Sequence, residues 1–188
     1  MRTRMALAGL VAVVAAALTS CSSDGSDFND ADVTFAQQMV PHHEQATEMS
    51  SLAPSRTDNA AVLDLASRIK AAQGPEVTAM KGWLTEWGKS DAGSAHSGHS
   101  GHMDGMEGMG AMPGMMSDAQ LDRLKKSKGA AFDRLFLTMM IEHHEGAVSM
   151  AKTEQAEGKN ADAVDLAETI RGDQTIEIGE MKKLLATS

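Results

Sequence analysis

The chain has 188 residues, a formal charge of −9, one Cys, no Tyr and fifteen Met. A single cysteine excludes a disulfide framework and a cysteine-based zinc site. The acidic balance gives no footing on nucleic acid or on an anionic membrane surface.

In chain order, Arg2 and Arg4 precede a continuous apolar run from Ala6 to Leu18. That run is shorter than the roughly 20 residues a membrane-spanning helix needs and has the length of a signal-peptide core. It closes on Leu18-Thr19-Ser20-Cys21, which resembles a bacterial lipobox. Residues 1–20 are therefore expected to be a lipoprotein signal peptide, and Cys21 the lipidated N-terminus of a short tether over 21–29. The expected location is the extracytoplasmic side of a bacterial membrane. Removal of the leader takes the charge from −9 to −11 and leaves 168 residues, enough for one domain.

The next segment is repeated. Residues 35–84 align without a gap to 136–185, and 18 of the 50 positions are identical. Phe35, Met39, His42, Ala46 and Met49 step by four and three, as do Phe136, Met140, His143, Ala147 and Met150, which predicts one face of an amphipathic helix. Leu65, Ile69, Gln73, Glu76 and Met80, with Leu166, Ile170, Gln174, Glu177 and Met181, predict a second helix in each copy. Helices are expected at about 30–53, 59–87, 131–156 and 160–186, with Asn59 and Asn160 as caps. Ser117 and Gln120 form a capping-box pattern for a short helix to Lys126. The fold class is thus all-α: a four-helix bundle of two helical hairpins, 30–87 and 117–188, the second preceded by the short helix.

Between them, residues 88–116 are rich in Gly, Ser, His and Met and read as a flexible linker with no core to bury. Its His96, His99 and His102 are spaced by three, and Met103, Met106, Met109, Met112 and Met115 continue that spacing before Met116. Six methionines on a solvated linker gain nothing from burial. A thioether is soft, neutral and not tied up as a disulfide, which suits Cu(I), and imidazole adds affinity for Cu(II). The other reading is a low-complexity spacer or a Met-rich docking surface.

The remaining histidines pair as His42-His43 and His143-His144, one turn after Met39 and Met140. Neighbouring side chains diverge by about 100° on a helix, so one of each pair can face the core while the other reaches its edge. In an antiparallel hairpin the pair should lie near Ile69 and Gln73 of the partner helix. Two readings stand: metal ligation by His and Met, supported by Gln73, Glu76, Met80 and Gln174, Glu177, Met181, or core histidines satisfied by Gln73 or Glu76 among packing methionines. Pro41 and Pro75 should perturb helices in the first copy only.

The blocks FAQQMVPHHEQATEM and FLTMMIEHHEGAVSMA, each followed by LA…I…Q..E…M, resemble the family known as domain of unknown function 305. The resemblance covers about 28–87 and 117–186. It implies a ferritin-like fold and extracytoplasmic proteins linked to copper binding or resistance. By match to the motif it implies Met39, His42, His43, Met49, Met140, His143, His144 and Met150 as metal residues. The expected function is copper sequestration, tolerance or hand-over to a copper-handling partner protein, with copper as Cu(I) or Cu(II) and no enzymatic activity. A metal-free scaffold leaves the His/Met tract unexplained. A di-iron oxidase needs Glu-x-x-His, where this chain has Met-x-x-His.

Overall fold

The computed structural model describes residues 26–91 and 112–187. Helix α1 spans Asp30–Leu52 and starts at Asn29, whose side chain accepts from the Ala31 and Asp32 amides while Asp32 reaches back to close a capping box. A 3-10 turn at Ala53–Ser55 leads to α2, Ala60–Glu86, capped by Asn59. The short helix α3, Asp118–Lys126, has the Ser117–Gln120 capping box. Helix α4 spans Gly129–Glu157 and α5 spans Ala161–Leu185, capped by Asn160. Among the described residues there is no strand. Pro41 and Pro75 lie inside α1 and α2, which continue through both.

Helix α1 packs along α2, α4 along α5, and α1 against α4, whereas α2 and α5 meet only sparsely. The apolar side chains form two clusters. One joins the C-terminal half of α1 to the N-terminal half of α4, with Met49, Leu65, Ile69, Phe132, Phe136, Met140 and Met181. The other joins the opposite halves, with Phe35, Met39, Met80, Leu84, Met150 and Ile170. Helices α1 and α4 are therefore antiparallel, and the histidine pairs fall between the clusters.

Each repeat also ties down the other's turn. Asp32 Oδ1 accepts from the Lys159 and Asn160 amides at 3.0 and 2.9 Å. The equivalent Asp133 accepts from the Asn59 side chain at 3.0 Å. These bonds serve buried groups, so each matters more than exposed pairs such as Lys81–Glu44 and Lys182–Glu145.

The linker departs from expectation at its C-terminal end. Residues 112–116 lie on the bundle as a strap across α1 and α4. The Gln45 amide donates to the Met116 carbonyl at 2.9 Å and accepts from its N–H at 2.7 Å. The Met116 side chain is buried in the first apolar cluster. Gly114, at φ +79°, rests on the backbone of Glu142 and His143, and Gly146 faces Pro113 so closely that a β-carbon would overlap its carbonyl. Residues 112–116 of the expected linker are thus docked, held by contacts that Gln45, Glu142, His143 and Gly146 supply rather than by an apolar pattern of their own.

Candidate metal centre

All four paired histidines are fully buried, with 0% exposure. Neither ring of a pair takes the edge position that helix geometry leaves open to one of them. Neighbouring helices and the strap cover both azimuths. The His42 and His143 rings meet at the α1–α4 seam with centroids 3.6 Å apart, and each lies further from its own neighbour, at 6.4 Å for His42–His43 and 6.3 Å for His143–His144. Four imidazoles therefore make one layer between the two apolar clusters.

Their outward nitrogens have acceptors. His43 Nε2 lies 2.7 Å from Glu76 Oε2, and His144 Nε2 lies 2.8 Å from Glu177 Oε2. The partner is Glu76 rather than Gln73, about one turn further along α2 than the expected level. His42 Nε2 lies 3.0 Å from the Pro113 carbonyl. A carboxylate or carbonyl only accepts, so Nε2 carries the proton in these three rings. In the neutral tautomer that leaves Nδ1 as a bare lone pair. Nδ1 of all four histidines is buried without a hydrogen-bond partner, as is His143 Nε2.

Burial disfavours the charged form of His42, His143 and His144. His42 is pushed down to about 3, first by desolvation and then by His43, against support from the Pro113 carbonyl. His143 lies well below the usual histidine value, through burial and then its histidine neighbours; the His42 backbone, outside hydrogen-bonding geometry, offsets this only in part. His144 is lowered by burial, opposed by Glu177. A neutral, partnerless imidazole nitrogen in a dry core is a poor structural element and a good donor to a soft monovalent cation. The second ring nitrogen held by a carboxylate is the arrangement that orients metal-binding histidines.

The methionines are shared between the two apolar sides of this layer. Met39, Met80 and Met150 lie in one cluster, and Met49, Met140 and Met181 in the other with Met116. Gln73 and Gln174 are buried beside Glu76 and Glu177, with Gln73 Oε1 and Nε2 and Gln174 Oε1 unpartnered. Met112 and Met115 are half-buried on the strap. Cys21, His96, His99, His102, Met103, Met106 and Met109 lie outside the described residues. Among the described residues no three His, Cys, Asp or Glu side chains form a ready-made metal cage. A cleft of about 780 Å³ lies elsewhere, beside Arg123, Lys126 and Arg134.

Sequence reasoning missed Pro113, Gln45 and Gly146. The signal was there in the repeat: within the best-matched block, HHEQA faces HHEGA. Gln45 grips the strap where its counterpart Gly146 makes room for it.

No curated protein matches the chain. Among solved structures, it is similar to a secreted protein from Streptomyces coelicolor, at 36% identity and TM-score 0.72, covering 84% of this chain and 93% of that one. A Deinococcus radiodurans fragment matches at 28% identity and TM-score 0.70, covering 85% and 98%. CopM in its Cu(II)-bound form matches at 30% identity and TM-score 0.67, covering 83% and 96%, and CopM is also solved in Cu(I)-bound and Ag-bound forms. The sequence profile of the domain of unknown function 305 matches residues 32–185. This bundle of two histidine-bearing hairpins therefore belongs to the domain of unknown function 305 family.

Proposed function

We propose that the protein sequesters copper, held as Cu(I) between the buried His42-His43 and His143-His144 pairs, without enzymatic activity. The observation that carries this reading is the layer of four partnerless Nδ1 atoms in a fully buried core. The copper- and silver-bound forms of CopM support it. Nδ1 of each pair supplies the donors, Glu76, Glu177 and Pro113 orient the rings, and the flanking thioethers offer further soft contacts. On this reading the His/Met tract from His96 to Met115 gathers copper, as either Cu(I) or Cu(II), and passes it on or takes it from a partner protein. Lipidated Cys21 would hold the protein to the outer face of a bacterial membrane. Among the described residues no helix is long and apolar enough to cross one.

The test uses a variant with residues 92–111 replaced by Gly/Ser, so that the strap is kept. Ligand binding to the folded state adds about 2.7 kcal/mol at a hundredfold excess over Kd. Anaerobic Cu(I) should therefore raise its melting temperature, and His43→Gln with His144→Gln should remove most of that rise while the apo value changes by only a few degrees. A large apo loss with a full copper response would make the histidines structural and favour a metal-free scaffold.

A further inference from the structure

We infer that the groove between α2 and α5 is an outer cation site through which the ion reaches the buried histidines. This inference rests on the copper reading above. The α1–α4 side of the histidine layer is covered by the strap, whose Pro113 carbonyl holds His42 and whose Gly114 rests on the His143 backbone. On the α2–α5 side the helices barely touch, and a groove of about 250 Å³ opens between them.

Its lining mixes apolar side chains, Ala72, Ile170 and Ile176, with a set of oxygen donors. Glu76 and Glu177 line it, and each touches a histidine with one oxygen while its side chain keeps 16% and 14% exposure. They are thus contacts of the buried rings that also reach solvent. Gln73 and Gln174 line the same groove, are 2% and 3% exposed, and carry unpartnered side-chain oxygens. A buried amide without a partner is costly unless something visits it. Asp173 adds a third carboxylate at the rim, and the one cation of the lining, Arg68, is bound to Asp64 and Glu180. An ion shedding water would meet carboxylate and amide oxygens first and the Nδ1 lone pairs only beyond the Nε2–H faces of His43 and His144. Glu76 and Glu177 stay partly open to solvent, so the outer site is one of passage and not of storage.

The chemistry predicts the kinetics. Charge at a narrow acidic inlet steers cations and is screened by salt. The full-length chain is mixed with Ag(I), quenched at intervals with a thiol that strips ions not sealed in the bundle, and the retained ions counted by native mass spectrometry. Two variants add the same +2 charge at exposed positions. Ala72→Lys with Asp173→Asn changes the groove, and Thr34→Lys with Ser149→Lys changes the opposite side near Pro113.

The groove variant should load about tenfold more slowly at low salt, with the gap closing at high salt, and reach the same final stoichiometry. The control should load like the unmodified chain. Equal slowing of both variants, slowing of the control alone, or no change overturns the groove while leaving the histidine site intact. Absence of any sealed ion in the unmodified chain overturns both the groove and the copper reading.

Discussion

His42 and Glu154 are both buried, and their ionisation is displaced in opposite senses. His42 holds no proton in the fold until about pH 3, whereas the unfolded ring takes one below about 6.5. Between those values the unfolded state binds more protons, so apo stability falls as pH drops through the window, by about 1.4 kcal/mol per pH unit per group. His143 and His144 act in the same direction. Glu154 is raised to about 8 by burial and then by its neighbour Asp32. Asp32 itself is lowered; burial opposes this, but the Glu154 bond and the amides of Asn29, Asn160 and Lys159 outweigh it. The fold therefore holds an extra proton on Glu154 from 4.5 to about 8, and this contribution is lost as pH rises towards 8. Glu154→Gln keeps a donor for Asp32 that does not titrate. The apo melting temperature of the unmodified chain should fall between pH 6.5 and 8, and that of the variant should not. Parallel curves would show that the Asp32–Glu154 pair shares no proton.

At the scale of elements, the strap depends on one absent side chain. Gly146→Ala would gain up to about 1 kcal/mol of helix propensity in α4 but place a β-carbon on the Pro113 carbonyl. Overpacking of this kind costs about 1–3 kcal/mol, so a net loss is expected. Hydrogen exchange gives the sharper readout: the Met116 amide, bound to Gln45 Oε1, should exchange much faster while the α1 and α4 amides hold. Unchanged protection at Met116 would mean that the strap is held elsewhere. The helices themselves were legible because their faces repeat with helical spacing and their ends carry Asn29, Asn59, Ser117 and Asn160 as caps. The His–Glu pairing came out one turn from its expected level, because hairpin register depends on the path of the 53–59 turn and not on either helix. The strap was not legible from its own residues. Pro113 to Met116 has the composition of the linker before it, and its docking comes from contacts supplied by Gln45 and Gly146 more than 30 residues away in either direction.

At the scale of the molecule, the repeat makes two histidine pairs, but the antiparallel packing of α1 on α4 merges them into one layer. With the His42 and His143 rings 3.6 Å apart, the two pairs cannot fill independently. Two monovalent ions roughly 6 Å apart repel by about 3 kcal/mol at an effective dielectric constant near 20, roughly a hundredfold in affinity. The pairs also differ, since only His42 has its Nε2 held by the strap while His143 has neither nitrogen engaged. Native mass spectrometry of the variant with 92–111 replaced should therefore show a one-ion species accumulating well before a two-ion species as Ag(I) is added. His143→Gln with His144→Gln should abolish the second step and leave the first pair able to hold one ion. Simultaneous appearance of both ions, with statistical populations, would mean that the pairs act as separate sites and that their meeting at the seam serves packing alone.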